Sequence, residues 1–270
     1  MNESTSSPGT GQDLPGATAG LFRGVGVALV TIFGDDGEID AGATGKLAAD
    51  LVARGMQAVL VNGSTGEAAT LTGPERAALI EAVRGAVPPG TPVIAGTGAP
   101  SARQAAVLTA DAAAAGADAV LAFPPPGSRD LTGYFGAVAG AAGGRPVLAY
   151  HFPRVSAPGV PVAALAGLPV AGVKDSSGDP DRLLDALAHY PGATYVGSSA
   201  VLALAGPMGA AGAILALANV EPERCVAAFA GDTAAQLALA DRHLAARQGG
   251  PAELKKILAA DTGLLSVSRQ

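Results

Sequence analysis

The sequence contains one cysteine, Cys225, and no tryptophan among its 270 residues. A single cysteine excludes both an intrachain disulfide and a metal site built from several cysteines, and it is typical of a cytoplasmic protein. No apolar run is long enough to cross a membrane, because glycine, proline or a charged residue interrupts each one. The 17 basic residues are outnumbered by 23 acidic ones and form no basic block, which argues against nucleic acid or a membrane surface as a partner.

Several familiar site motifs are also missing. The histidines His151, His189 and His243 have neither HxH nor HExxH spacing, so the sequence predicts no metal site. The segment GTGAP at 96–100 contains no GxGxxG, which argues against a dinucleotide. No GxSxG turn is present for a serine hydrolase.

The composition that remains is that of one large globular domain behind a polar leader. Residues 1–20 are rich in serine, glycine and threonine and have neither a basic start nor an apolar core, so we predict a disordered tail rather than a signal peptide. The whole chain is 49% hydrophobic and 15% charged, so it contains enough apolar residues to build a large core. Its length is within the range of a single α/β barrel.

Short apolar runs alternate with longer segments of helical period. The predicted strands are 26–32, 58–62, 92–96, 119–123, 146–150, 170–174, 194–198 and 212–217, and helices near 41–55, 74–86, 101–116, 130–143, 160–167, 180–189 and 199–208 separate them. Eight strands that are each followed by a helix predict a (β/α)8 TIM barrel over 21–218. Residues 219–270 add a helical extension packed on the barrel. An open doubly wound sheet is the alternative, because a linear sequence cannot show closure.

Polar residues gather where these strands end, although barrel positions favour small or branched apolar side chains. The residues that break the apolar rule are Asn62, Ser64, Thr65, Glu67, Tyr150, Lys174, Ser176 and Ser198. In a parallel barrel these strand ends meet at one face, so we predict a site there.

Lys174 ends the apolar run VAGVK, and it is one of four lysines. Lys46, Lys255 and Lys256 lie in segments that we predict to be solvated helical faces. A lysine in an apolar barrel loses part of its basicity and can act as a Schiff-base nucleophile. The alternative is a structural lysine paired with Asp175 or Asp179.

Tyr150 ends the strand before that of Lys174, and adjacent strands lie ~4.8 Å apart. Its phenol could move protons as an imine forms, or it could merely pack at the rim. After the second strand, NGSTGE presents the Ser64 and Thr65 hydroxyls and backbone N–H groups suited to a carboxylate. The alternative is a β-turn with Thr65 as a helix cap. We expect Glu67 to be structural and to bind N–H groups of its own loop.

Together these motifs resemble the family of dihydrodipicolinate synthase and N-acetylneuraminate lyase, the pyruvate-dependent class I aldolases. The resemblance spans roughly 24–262 and is carried by GVALVTIF, GSTGE, AGTGA, YHFP and GVKDSSGD. It implies that Lys174 forms the imine, Tyr150 transfers protons and Ser64 and Thr65 hold the keto acid's carboxylate. It also implies that Ser176 and Gly197 border the substrate. The imine chemistry requires no metal and no organic cofactor.

The chain departs from the family pattern at two places. After the fourth strand, synthases of the family usually carry Pro-Tyr-Tyr, whereas this chain has FPPPG at 123–127. After YHFP, an ungapped alignment puts Val155 where the synthases have a carboxylate-binding arginine, and Arg154 comes one residue early. Both departures argue against the synthase reaction, and Arg154 is our candidate for binding an acid group of the substrate.

We therefore expect a lyase that makes or breaks a carbon–carbon bond next to pyruvate, with a 2-keto-3-deoxy acid as substrate and pyruvate and an aldehyde as partners. Three alternatives stay open: 4-hydroxy-tetrahydrodipicolinate synthase, a related dehydratase or hydratase-aldolase, and a keto-acid-binding member without turnover. The resemblance further implies a homotetramer or a dimer in the cytoplasm.

Overall fold

The computed structural model describes residues 20–264 and 266–270. The predicted tail, residues 1–20, lies outside this range except for Gly20. Within the described residues, no helix is both long and apolar enough to cross a membrane.

Eight parallel strands close into a barrel, as predicted. The strands are β1 (Gly24–Ala28), β2 (Val59–Val61), β3 (Val93–Gly96), β4 (Ala119–Ala122), β5 (Val147–His151), β6 (Gly172–Asp175), β7 (Ala193–Val196) and β8 (Gly212–Leu215). Closure is decided by β1, which pairs with β2 on one side and with β8 on the other. The open-sheet alternative is therefore wrong. A Cβ at Gly212 would run into the carbonyl oxygen of Gly24, so the absence of a side chain permits this last pairing.

Helices cover the outside of the barrel in sequence order. They are α1 (Ala41–Ala53), α2 (Gly73–Ala86), α3 (Ala102–Ala114), α4 (Leu131–Ala141), α5 (Val162–Leu165), α6 (Pro180–His189) and α7 (Leu202–Ala205). α5 and α7 are shorter than predicted. Pro161 caps α5 at its start, and a 3-10 turn over Ser199–Val201 takes up the first part of the segment predicted for α7.

Three further helices follow the barrel: α8 (Pro222–Phe229), α9 (Thr233–Ala238) and α10 (Ala240–Thr262). α10 bends at Gly250, whose backbone (φ 60°, ψ −147°) is not helical, and Pro251 follows. The break divides α10 into two helical segments, one on each side of Gly250. α10 packs against the turn that follows β2, which brings it to the mouth of the barrel.

Two apolar layers hold the fold together. One fills the space between strands and helices, with Val27, Val59 and Val93 among its fully buried side chains. The other lies inside the barrel and includes Leu60, Ile94, Leu121, Leu148, Tyr150, Tyr195 and Ile214. At the amino-terminal end of the strands, the Phe22 ring stacks on Tyr195 with their centroids 4.8 Å apart. Among the described residues, the barrel interior is therefore packed at the amino-terminal ends of the strands and open to a ligand at their carboxyl ends.

Candidate active site

A cavity of about 350 Å³ opens at the carboxyl ends of the strands. Its lining includes all seven residues selected from the sequence: Lys174, Tyr150, Ser64, Thr65, Ser176, Gly197 and Arg154. They lie at the carboxyl ends of β2, β5, β6 and β7 or in the loops that follow. These strand ends meet at one face of the closed barrel, so residues that are far apart in the sequence line one cavity.

Lys174 and Tyr150 are direct neighbours in the barrel. The two residues are partners in the register of β5 and β6, so both side chains point to the same side of the sheet. The Lys174 Nζ lies 4.7 Å from the centroid of the Tyr150 ring. Both residues are buried, with exposed fractions of 4% and 6%. The predicted amine–phenol pair is therefore present in the folded chain.

The surroundings of Lys174 favour its uncharged form. Burial lowers the pKa of its ammonium from 10.5 to about 7, because the barrel interior solvates a charge poorly. Among the described residues, no carboxylate forms an ion pair with its Nζ. Free amine is thus available near neutral pH, which is what a nucleophile requires.

The alternative for Lys174, a structural ion pair, is wrong. Asp175 instead binds Arg182, with 2.6 Å between Nε and Oδ2, and it accepts a hydrogen bond from the Ser177 hydroxyl. Asp179 caps α6 by accepting from the backbone N–H of Asp181. Both carboxylates therefore stabilise the loop after β6 and leave the amine free.

Tyr150 remains a phenol rather than a phenolate. Burial raises its pKa to about 12, and the negative charge of Asp175 acts in the same direction. Interactions with the hydroxyls of Ser176 and Ser64 lower that pKa and offset part of the shift. A phenol in contact with two hydroxyls can give up a proton to a reacting oxygen and recover it through them.

The loop after β2 forms a compact anchored turn. Residues Ser64–Gly66 make one 3-10 turn, and Thr31 donates a hydrogen bond of 2.8 Å to the carbonyl oxygen of Gly66. The alternative of Thr65 as a helix cap is wrong, because Thr72 caps α2 and accepts from the Glu75 N–H. The Ser64 and Thr65 side chains are left for the cavity.

Gly197 keeps the space above the lysine open. A Cβ at this position would collide with the Ser176 Oγ and would lie 3.0 Å from the Lys174 Cε. A side chain at 197 would therefore displace the hydroxyl or the lysine, which explains why a glycine follows β7 here.

Arg154 and Val155 both line the cavity and are both exposed. The guanidinium of Arg154 therefore reaches the site although it comes one residue before the position at which the synthases carry their arginine. A second cavity of about 880 Å³ adjoins the first and is lined in part by Phe123, Pro125 and Pro126. Ser64, Tyr150 and Val155 line both cavities.

Residues of α10 that were not predicted as site residues close one side of the cavity. His243 and Arg247 lie one helical turn apart and both line it, and the His243 Nδ1 is 2.7 Å from the Ser199 Oγ. Burial and the charge of Arg247 lower the pKa of His243. Their spacing was the only signal, since periodicity does not tell where a helix docks.

Lys255 was also misassigned, whereas Lys46 and Lys256 are exposed as predicted. Lys255 is 1% exposed and forms an ion pair with Glu67, with 2.5 Å between Nζ and Oε1. The Glu67 carboxylate is structural, but its partners lie beyond α10 and in α10 itself rather than among the N–H groups of its own loop. The contact joins residues 188 positions apart, which local pattern cannot reveal.

Residues 21–259 match the profile of the dihydrodipicolinate synthetase family. The chain belongs to this family. It is 34% identical over 212 residues to the 4-hydroxy-tetrahydrodipicolinate synthase of Salinibacter ruber, which covers 75% of this chain and 70% of the relative. It is 36% identical over 232 residues to an uncharacterised DapA-like lyase of Halobacterium salinarum, with 83% and 74% covered.

Solved structures of the family superpose on the whole barrel. The dihydrodipicolinate synthase of Acinetobacter baumannii, solved with pyruvate, matches with a TM-score of 0.84 and 27% identity over 92% of each chain. Members of this family are lyases that use a lysine Schiff base. This chain is accordingly a pyruvate-dependent carbon–carbon lyase of the class I aldolase type.

Proposed function

We propose that this enzyme cleaves a 2-keto-3-deoxy acid to pyruvate and an aldehyde, through an imine on Lys174. The observation that carries the proposal is the buried, unpaired amine 4.7 Å from the Tyr150 ring. An amine whose pKa lies near 7 can both attack a ketone and, once condensed, carry the positive charge of a protonated imine.

The first half of the reaction builds the imine. The Lys174 lone pair attacks the C2 carbonyl carbon, and the Tyr150 phenol protonates the carbonyl oxygen to give a carbinolamine. A proton of the carbinolamine nitrogen, relayed through Ser64 to the hydroxyl, lets that oxygen leave as water and gives the protonated imine, with Tyr150 left as the phenolate. The dry interior favours water release and holds the reacting atoms in place.

The second half breaks the carbon–carbon bond. The Tyr150 phenolate removes the proton of the C4 hydroxyl, the C3–C4 bonding pair moves toward the imine nitrogen, and the aldehyde leaves. The Tyr150 phenol gives that proton to C3 of the resulting enamine, and water then hydrolyses the protonated imine to pyruvate and the Lys174 amine, returning one proton to Tyr150. Every proton that enters one step is returned in a later one, so no metal or redox cofactor enters the balance.

The remaining residues position the substrate in this proposal. Ser64, Thr65 and the N–H groups of their turn hold the C1 carboxylate, and Ser176 lies where hydroxyls beyond C3 would pass. Gly197 leaves room for the substrate above Lys174. The exposed guanidinium of Arg154 takes an acid group at the far end of the cavity.

The synthase reaction is the second candidate, because the relative in Salinibacter ruber carries that name. The proline run Pro124–Pro126 and Val155 favour the 2-keto-3-deoxy acid instead, since the synthases of the resemblance carry a phenol and a guanidinium at those places. A dehydratase or hydratase-aldolase would use the same imine, and a member without turnover would bind the keto acid alone.

Release of pyruvate from a panel of 2-keto-3-deoxy acids tests the proposal, with condensation of pyruvate and aspartate semialdehyde assayed in parallel. Lys174→Ala is the inactive reference, and Lys256→Ala is the matched control on an exposed lysine. We expect cleavage of at least one acid that disappears only in Lys174→Ala. Faster condensation with the semialdehyde would assign the synthase reaction instead.

We further propose that the enzyme works in the cytoplasm as a homotetramer or a dimer. Cys225 is buried and free, which suits a reducing compartment. Light scattering on the purified chain measures the assembly, and a monomer at micromolar concentration would contradict it.

A further inference from the structure

The loop that carries Ser64 and Thr65 ends in a buried charge. Glu67 is 0% exposed, and its backbone is left-handed (φ 55°, ψ 38°) although it is not a glycine. Such a conformation is uncommon and persists where the surroundings enforce it. The conformation of the loop therefore depends on what holds Glu67.

Three donors outside the loop hold the Glu67 carboxylate. They are the Lys255 Nζ at 2.5 Å, the Ser268 Oγ at 2.9 Å and the Arg269 backbone N–H at 2.8 Å. Lys255 also donates to the Val267 carbonyl oxygen at 2.8 Å. One buried ammonium thus joins α10, segment 266–270 and the loop after β2.

Arg269 binds segment 266–270 to the residues that follow the loop after β2. Its guanidinium donates to the Thr70 carbonyl oxygen at 3.3 Å and forms an ion pair of 2.7 Å with Glu75 in α2. Its side chain and that of Lys255 both lie over the Phe33 ring, at 4.6 and 4.1 Å from the centroid. Glu67, Lys255, Ser268 and Arg269 thus form one connected group that joins the three segments, and we call this group the clasp.

We infer that the clasp holds the Ser64–Thr65 turn in the geometry that receives the substrate's carboxylate, so that Glu67, Lys255 and Arg269 are positioning residues. The inference rests on the proposed function of that turn. The described residues of the clasp do not line the cavity of the active site, so they act through the loop rather than on the substrate. A buried ion pair suits this role, because losing one partner leaves the other charge uncompensated and forces the loop to move.

Lys255→Met and Lys256→Met form a matched pair of variants at neighbouring positions of α10, one buried in the clasp and one exposed. The assay is adduct formation between pyruvate and the full chain with cyanoborohydride, over a range of pyruvate concentrations. Hydrogen exchange at residues 63–70 is measured in parallel. We expect the half-saturating pyruvate concentration to rise about tenfold or more in Lys255→Met and to stay within about twofold in Lys256→Met.

The saturated rate and its pH midpoint report on Lys174 and should change less than about threefold in Lys255→Met. Exchange at 63–70 should accelerate in Lys255→Met alone. An unchanged half-saturation in a folded Lys255→Met would overturn the inference, as would a loss confined to the saturated rate. If the wild-type chain forms no adduct, the proposed function fails instead.

Arg269→Ala and Ser268→Ala keep the inference testable if Lys255→Met does not fold, because neither leaves a buried charge without its main partner. The double variant that combines them should raise the half-saturating pyruvate concentration about threefold and accelerate hydrogen exchange at residues 63–70. A double variant with wild-type half-saturation and wild-type exchange would show that the clasp has no positioning role.

Discussion

Lys174 and Lys255 are the two buried lysines of the described chain, and they are nearly equally inaccessible, at 4% and 1% exposed. Lys255 has a carboxylate at 2.5 Å, whereas Lys174 has a phenol ring beside it and no ion pair among the described residues. Burial lowers the pKa of both, but only Lys255 has a carboxylate that offsets the shift. Lys255 is therefore a structural cation, whereas Lys174, which has no carboxylate partner among the described residues, suits the nucleophilic role that we propose for it.

The largest expected effect is on turnover. Lys174→Met removes the nucleophile, and we expect activity to fall by roughly 10⁴-fold or more, to the background. Lys255→Met should keep measurable turnover, because Lys255 does not reach the cavity. Steady-state assays of pyruvate release compare the two variants. Residual activity in Lys174→Met near that of Lys255→Met would break the distinction.

The same two variants should shift stability in opposite directions at pH 7. Removing Lys174 relieves a buried amine whose pKa is about 7 rather than 10.5, which corresponds to about 5 kcal/mol at ~1.4 kcal/mol per pKa unit for the fully protonated amine and to about 4 kcal/mol at pH 7. Removing Lys255 leaves Glu67 buried without its ion pair and should cost ~3–5 kcal/mol. Urea unfolding measures both, and shifts of the same sign would contradict the comparison.

The Lys174 penalty has a defined pH dependence. The unfolded lysine keeps its proton up to about pH 10.5, whereas the folded one loses it near pH 7. The loss of folding free energy caused by burying Lys174 is therefore complete below pH 7 and disappears as the pH rises to 10.5. We expect the stability advantage of Lys174→Met to shrink to about 1 kcal/mol at pH 9.5. An advantage that is constant over this range would mean that the amine is not desolvated.

Replacing Tyr150 with phenylalanine should slow turnover by roughly 10²–10⁴-fold, the usual contribution of a positioned acid–base group. The aromatic packing on Phe152, with centroids 5.7 Å apart, should persist, so folding should be preserved. Imine formation with pyruvate should become slower but should remain detectable. Wild-type turnover in this variant would assign the tyrosine to packing at the rim.

The smallest predicted effect concerns Gly197→Ala. The new methyl group would press on the Ser176 Oγ and the Lys174 Cε, and we expect kcat/KM to fall about tenfold. Gly136→Ala is the control, because nothing lies within 4 Å of a Cβ there and the site is in a helix. That control should raise stability by ~0.5–1 kcal/mol without affecting activity. Equal effects on activity at both positions would argue against a constricted site.

Much of the fold could be predicted because local rules and the global fold agree. The strands are short and mostly apolar, proline directly precedes β3 and β5 and glycine directly precedes β7, and the start of α2 at Thr72 carries a full capping box. The pairing of Tyr150 with Lys174 followed from parallel register alone. The seven site residues converged for the same reason, since the carboxyl ends of barrel strands share one face.

What could not be predicted depends on how distant segments dock. In PAELKKILAAD, periodicity does not distinguish Lys255 from Lys256, because the face that is buried is set by the loop after β2. His243 and Arg247 were missed for the same reason, since the bend at Gly250 determines which part of α10 covers the cavity. Long-range ion pairs and helix docking have no local signature.

Lys174, and not the other buried lysine, supplies free amine near neutral pH. The most direct test is cyanoborohydride trapping of pyruvate from pH 5.5 to 9, with the modified peptide identified by mass spectrometry. We expect one adduct, on Lys174, whose initial rate rises with a midpoint near pH 7. An adduct on Lys255, or a rate that is still rising steeply above pH 9, would contradict it.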